Sequence, residues 1–279
     1  MQEARARCCR FLINCVATGL FFFLPLACFS QSTVKPQPEI PFADDLKKYP
    51  RLLTELTHLA EALKNNVQLP PVRTESPLLP RLPVATTYYV AFPNYGETAH
   101  QTVETLKQEL QASPVLRDWW QHGELSSTGP KLQDFLEKFY ELSQYLGDEI
   151  VVSGEIGGAH EMGTASRKLL IVAELRKPGL KNVLEQILKE SPVETQSGVR
   201  VLDLQQLAQA KSGSGAQQLV VLVRPDFVIA AESLEALRAF NAFLDARTTD
   251  FASTPFGQRL TEAYQGGTSA VMVPICTSS

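Results

Sequence analysis

The residues best suited to do chemistry lie in a glycine-rich stretch near the middle of the chain. His160 and Glu161 fall within the loop 157–166, and Glu155 comes just before it. An imidazole beside carboxylates can ligate a metal ion or act as a general acid or base. These three residues are therefore a candidate site for metal-assisted or acid/base hydrolysis.

The spacing around this loop limits that interpretation. Asp148 and Glu149 lie nearby in the sequence and could add carboxylates. No second histidine follows His160 at i+4, however, so the helical zinc-hydrolase signature is absent. The pattern favours a solvated hairpin loop.

A pair of tryptophans, Trp119 and Trp120, is the second candidate. Adjacent residues of a helix point about 100° apart, so at most one of the two rings is fully buried. Packing in or beside the core is the favoured interpretation. Contact with a glycan or a protein partner is the alternative.

Other motifs predict no chemistry. The stretch Ser212–Gly215 lacks both the Gly-x-Ser-x-Gly of a nucleophile elbow and the Gly-Lys-Ser/Thr ending of a phosphate loop. The sequence therefore predicts no catalytic residue, no metal site and no cofactor.

Composition excludes several classes of protein. The chain has 279 residues, of which 44% are hydrophobic and 20% charged, so it can build a sizeable core and is not wholly disordered. Its 26 basic and 30 acidic side chains give a net charge of −4. An acidic domain repels phosphates, so no nucleic-acid partner is expected.

The first thirty residues predict export. Arg5, Arg7 and Arg10 precede the uncharged apolar run 11–29, as in a secretory signal. Cleavage is expected between Ser30 and Gln31. The main domain is therefore expected to be extracytoplasmic, either periplasmic or secreted.

Two other interpretations of this segment stay open. An uncleaved anchor is one, because nineteen apolar residues just span a bilayer. A lipoprotein signal is the other, with Cys28 as the lipidated residue, although Pro25 replaces the usual branched residue of the lipobox. Contact with the membrane is expected only through this segment.

The remainder of the chain divides into a tether and a domain. Residues 31–81 predict a proline-rich tether that contains one amphipathic helix over 43–66. Residues 82–279 predict the main domain. Cys276 is the only cysteine after residue 30, so no disulfide framework is expected.

The main domain predicts an α+β fold. Its pattern of strands and helices reads β-α-α-α-β-β-α-β-β-β-α-α-β, with several strands joined by short turns. This order favours a mostly antiparallel sheet with helices packed on one face. The expected strands are 86–92, 149–156, 168–175, 199–204, 219–223, 227–231 and 268–275.

Several phrases resemble an uncharacterised bacterial exported family, domain of unknown function three-three-five-two. They include TTYYVAF, ASPVLRDWW, YLGDEIVVSGEI, LVVLVRPDFVIAAES and FASTPFGQRLTEAYQGGTSAVMVPI, which together cover roughly residues 80–275. Members of that family continue into a second half, so the resemblance implies a chain truncated at its C-terminus. The family has no established activity and supplies no catalytic residues.

Three functions compete at this point. The leading hypothesis is a non-catalytic protein-interaction domain of the cell envelope, with envelope proteins as partners. The second is an extracytoplasmic hydrolase that uses the loop 155–166. The third is a small-ligand or glycan-binding protein that uses the two tryptophans.

Overall fold

The structure is a computed structural model that describes residues 43–123, 125–156, 167–190, 198–211, 219–246 and 251–274. The predicted export segment, its cleavage site and Cys28 lie outside these residues. Within them, no helix combines the length and the apolar character that crossing a membrane requires.

The described residues contain nine α-helices and seven strands. The helices are α1 (Ala43–Lys48), α2 (Leu52–Asn66), α3 (Gly96–Ala112), α4 (Pro114–His122), α5 (Gly129–Ser143), α6 (Leu180–Glu190), α7 (Leu204–Gln209), α8 (Leu234–Ala246) and α9 (Pro255–Gln265). The strands are β1 (Tyr88–Pro93), β2 (Leu146–Ile156), β3 (Arg167–Leu175), β4 (Val199–Leu202), β5 (Leu219–Val223), β6 (Phe227–Ala231) and β7 (Val271–Pro274). Two short 3₁₀ helices cover Leu79–Arg81 and Phe251–Ser253.

The seven strands form one sheet in the order β4-β5-β6-β3-β2-β1-β7. Every neighbouring pair is antiparallel except β4 and β5. The predicted α+β class, with a mostly antiparallel sheet, is therefore confirmed. Each of the seven predicted strands is present, although several bounds differ by a few residues.

One face of the sheet carries the main core. Side chains alternate between the two faces of a strand, so β1 buries Tyr89 and Ala91 while β6 buries Ile229 and Ala231. Helices α8 and α9 and the two 3₁₀ helices add buried residues to the same cluster. A sheet with helices packed against it is the arrangement that the order of strands and helices predicts.

Helices α2 to α5 pack mainly on one another, while α5 also contacts β2 and α6 contacts β4. Their smaller apolar cluster contains Ala99, Val103 and Leu136, with Phe139 against it. Gly96 allows α3 to approach the end of α5, since a Cβ there would lie only 1.7 Å from Oγ of Ser143.

Local sequence signals explain where several helices begin. Ser113 and Thr254 accept hydrogen bonds from the backbone of α4 and α9, and proline follows each of them. Asp203 forms a capping box with Gln206 at the start of α7.

Two helix predictions need correction. The single helix predicted over 43–66 is two helices, because Pro50 donates no N–H and disfavours a helical conformation at Tyr49. The apolar spacing of residues 130–146 also predicts one helix, and that helix, α5, ends at Ser143. Nδ2 of Asn94 donates to the carbonyls of Ser143 (2.9 Å) and Gly147 (3.0 Å), which ties the following residues to β1 instead.

Buried leucines lie on the N-terminal side of the predicted boundary at residue 82. The described residues from Asp44 onward form one compact unit, in which Leu52, Leu78 and Leu82 are fully buried. We call residues 67–83 the strap. Its residues Leu78, Leu79 and Leu82 provide apolar surface for the core, which the high proline content concealed.

Replacing a strap leucine by alanine tests whether the strap belongs to the domain. Leu78→Ala is expected to lower the free energy of unfolding by about 2–5 kcal/mol, because it opens a cavity in the core. Leu69→Ala is the matched control, since Leu69 lies in the same strap and is 76% exposed. Chemical denaturation measures both, and equal stabilities would show that the strap is a loose tether.

Candidate functional site

The predicted loop site is only partly within the described residues. Glu155 is half-buried on β2, whereas His160 and Glu161 lie outside the described residues. The neighbouring carboxylates do not converge, because Glu149 faces the core while Asp148 pairs with Arg176 at the surface. Among the described residues, no group of three or more His, Cys, Asp or Glu side chains is placed to hold a metal ion.

The tryptophan pair is a packing feature of the N-terminal helices. Trp119 is 2% exposed, and its indole N–H donates to Oδ2 of Asp45 over 2.7 Å. Trp120 is half-buried, with its ring edge-on to that of Trp119 at 6.3 Å. Helical geometry correctly predicts one fully buried ring. The buried ring joins α4 to α1 and presents no face to a glycan.

A buried polar cluster surrounds the side chain of Glu149, and sequence reasoning missed it. We call Arg73, Ser76, Tyr89, Glu149 and Tyr264 the Glu149 cluster. The carboxylate is 1% exposed and accepts hydrogen bonds from Arg73, Ser76 and Tyr264. The hydroxyls of Tyr89 and Tyr264 lie 2.8 Å apart.

The Glu149 cluster joins four parts of the chain. Arg73 and Ser76 come from the strap, Tyr89 from β1, Glu149 from β2 and Tyr264 from the end of α9. The guanidinium of Arg73 also lies over the ring of Tyr264, at 5.6 Å from its centroid. Side chains this enclosed are out of reach of a ligand, so the cluster is a structural support.

Electrostatics keep both phenols protonated. Burial is the main cause that raises the pKa of Tyr89, and the charge of Glu149 adds to it. Burial also raises the pKa of Tyr264, followed by the nearby Tyr89 and the hydrogen bond to Glu149. The hydroxyl of Tyr264 therefore stays a donor to the buried carboxylate, and the hydroxyl of Tyr89 stays a donor to Oγ of Ser76 beside it.

A charged groove at one end of the sheet is the accessible candidate site. It consists of two cavities that share Leu175, Arg176 and Arg224, and we call it the strand-end groove. The first cavity, of about 610 Å³, is lined by residues 175–179, Lys181, 203–205 and 223–225. The second, of about 650 Å³, is lined by Arg81, 174–176, Arg224, 226–227 and 244–245.

Strand ends position the walls of the groove. Strand β3 ends at Leu175 and β5 at Val223, while Asp203 follows the end of β4. Gly179 has a φ of 106°, which lets the chain turn from β3 into α6 beside the ring of Tyr145.

Arg224 is the fixed centre of the groove. Its guanidinium is 11% exposed and donates to Asp226 (2.9 Å), Asn241 (2.7 Å) and Asp245 (2.8 Å). Burial acts to lower the pKa of Arg224, but the hydrogen bonds and charges of Asp226 and Asp245 outweigh it and leave that pKa raised. The side chain is charged and rigid.

The other cations of the groove are held more loosely. The ammonium of Lys181 lies 2.6 Å from Oδ2 of Asp203, and this hydrogen bond lowers the pKa of Asp203. Arg176 pairs with Asp148 at the surface. The ammonium of Lys177 lies over the ring of Tyr145, at 4.5 Å from its centroid.

The groove can recognise charge. Arg176 and Arg224 follow the ends of β3 and β5, whereas Lys181 lies on α6 and Asp245 on α8. No local sequence pattern indicates that these side chains meet. The clue in the sequence is the run Arg176-Lys177-Pro178-Gly179, whose proline and glycine by themselves indicate only a turn.

Comparison of the chain with family models, with curated proteins and with solved structures gave no significant match. The resemblance to the exported family stays a prediction.

Removing Arg73 tests the support role of the Glu149 cluster. Arg73→Met is expected to lower the free energy of unfolding by about 3–5 kcal/mol, because it leaves a buried carboxylate without its cation. The matched control is Arg51→Met, since the pair of Arg51 with Glu55 is exposed on the arginine side. Arg51→Met is expected to lower the free energy of unfolding by less than about 1 kcal/mol.

Both variants would be compared in urea unfolding at neutral pH. If both variants lose a similar small amount of unfolding free energy, Arg73 is not needed to stabilise the buried carboxylate of Glu149.

Proposed function

We propose that the chain is an exported, non-catalytic interaction domain that contacts a partner protein through the strand-end groove. The observation that carries this proposal is the set of ion pairs around the two adjoining cavities, in which the carboxylates are exposed. The sequence supports the extracytoplasmic location, through the three arginines and the apolar run that follow one another before Gln31.

The rim of the groove favours a large occupant. The side chain of Asp148 is 86% exposed, that of Asp226 52% and that of Asp245 57%. A small molecule in either cavity would leave these carboxylates in water. A protein surface laid across the groove would cover them and exclude the water that weakens charged contacts.

The ion pairs within the groove favour a role in partner recognition over a role in proton transfer. Exposed ion pairs contribute about 0–1 kcal/mol each, so a partner can replace one of their members at little cost. Arg224 already binds three acceptors, which makes it a fixed positive charge in the groove. Such charges give an interface its orientation and its choice of partner.

Site-specific crosslinking in intact cells tests the groove as a docking surface. A photoreactive residue at position 205, which lines the first cavity, is expected to form a covalent adduct of one discrete mass. The matched control is position 209, since Gln205 and Gln209 are both exposed on helix α7 and only Gln205 lines the groove.

The difference between the two positions decides the result. An adduct from position 205 that is absent at position 209 supports docking at the groove. Equal adducts at both positions, or none at 205, would contradict it.

Export has a separate test. The chain recovered from cells is expected to begin at Gln31, as read by N-terminal sequencing. Ser30→Arg should block this cleavage, because the enzyme that removes signals needs a small residue at that place. Ser32→Arg is the matched control and should still be cleaved.

The other possible N-termini have distinct meanings. A chain that begins at a lipidated Cys28, or that keeps Met1 while exposed outside the cell, overturns cleavage at Ser30 but not export. A chain that stays in the cytoplasm overturns the proposed location.

A further inference from the structure

The first cavity concentrates positive charge in a protein that is negative overall. Its walls carry four cations, Arg176, Lys177, Lys181 and Arg224, and one carboxylate, Asp203. We propose that this cavity receives an acidic segment of the partner protein, with carboxylates of that segment bound by Arg176, Lys177 and Lys181. This inference rests on the proposed function, since it takes the occupant to be a protein.

The net charge of the chain does not prevent this binding. The chain carries −4. At physiological salt, charges are screened over about 8 Å, so distant acidic residues contribute little inside the cavity. The cations that line the wall therefore determine the local attraction.

Lys177 is the cation most available to a ligand. Its ammonium lies over the ring of Tyr145 and, among the described residues, pairs with no carboxylate. An aromatic face stabilises an ammonium by about 0.5–1 kcal/mol at an exposed site, which is less than a charge-assisted hydrogen bond provides. A carboxylate that enters the cavity can thus hold Lys177 without breaking an ion pair.

Arg176 can exchange its partner. Its side chain is 51% exposed and that of Asp148 is 86% exposed, so water already competes for this pair. A guanidinium binds an incoming carboxylate through two parallel hydrogen bonds, which favours the exchange. Asp148 then returns to solvent at little cost.

Lys181 and Arg224 contribute differently. The ammonium of Lys181 keeps a second carboxylate, Glu185, at 3.8 Å, and it has donors left beyond Asp203. Arg224 uses three of its five N–H donors on these acceptors and its side chain is only 11% exposed, so it supplies mainly a fixed charge rather than a contact.

Apolar walls add to the choice of occupant. Leu175, Pro178 and Val223 line the cavity beside the cations, and Leu204 is 40% exposed there. Together these walls suit a segment in which acidic residues alternate with apolar ones. A free inorganic anion would leave this apolar surface uncovered.

Titration calorimetry with a defined peptide tests the inference on the chain as purified from its cells. The probe is an N-acetylated hexapeptide of alternating glutamate and leucine. A second peptide carries glutamine in place of glutamate, and inorganic phosphate is the third ligand. The acidic peptide is expected to bind with an affinity that falls as salt rises, and at least about tenfold more tightly than the glutamine peptide.

Charge reversal locates the binding. The double variant Arg176→Glu with Lys177→Glu is expected to weaken binding of the acidic peptide by about a hundredfold, taking roughly tenfold for each lost contact. The matched control is Lys47→Glu with Arg51→Glu, which changes the net charge equally at exposed positions on and beside α1. The control should bind within about twofold of the unchanged chain, and thermal melts confirm that both variants fold.

Three results would overturn the inference. These are equal binding of the two peptides, equal loss in both double variants, or phosphate binding as tight as that of the acidic peptide. Self-association of the chain, lost in the groove variant and measured by sedimentation, would also overturn it by identifying a second copy as the occupant.

The proposed function can fail independently. If the acidic peptide binds but position 205 forms no crosslink in cells, the acidic specificity of the first cavity is supported and the proposed docking of a cellular partner is contradicted. If position 205 forms the crosslink but the acidic peptide does not bind, the docking of a partner is supported and the acidic specificity is contradicted.

Discussion

A buried carboxylate organises this fold. Taking the charge of Glu149 out of water is costly unless donors replace that water, and the side chain is only 1% exposed. Its donors come from the strap and from α9, which lie far from β2 in the sequence. The strap and the end of α9 must therefore be in place before the charge can be accommodated, and this requirement couples the N-terminal and C-terminal parts of the unit.

Two adjacent residues of β2 connect the buried Glu149 cluster to the strand-end groove. Asp148 and Glu149 are adjacent on β2, and adjacent residues of a strand point to opposite faces. Glu149 reaches Arg73 in the core while Asp148 reaches Arg176 at the rim of the groove. A slip of one residue in the register of β2 would exchange the two carboxylates, so the buried cluster also fixes the geometry of the rim.

These relations explain what the sequence could and could not predict. The strands were recognisable from local sequence, because β-branched and aromatic residues cluster over 86–92 and turn residues separate 219–223 from 227–231. The strap was not, because its prolines indicate a tether while its role depends on a partner far along the chain. Arg73 and Glu149 are 76 residues apart, and nothing in their local sequence indicates that they meet.

The groove was hidden for the same reason. Arg176 and Arg224 follow different strands, and only the antiparallel pairing of β3 with β6 and of β6 with β5 brings those strand ends together. For the tryptophans, packing was the favoured interpretation, and the burial of Trp119 agrees with it. Their residue type indicates binding, yet Trp119 donates to Asp45 within the helical layer.

The rim carboxylates give the proposed docking its selectivity. Asp148, Asp226 and Asp245 lie around the cations of the first cavity. A long polyanion that extends beyond this cavity therefore meets the repulsion of these carboxylates. A short acidic segment avoids most of this repulsion, because it enters the first cavity and displaces only Asp148. Specificity then depends on how far negative charge extends beyond the cavity. Neutralising Asp226 and Asp245 would therefore widen the range of anions bound rather than strengthen binding of the acidic segment alone.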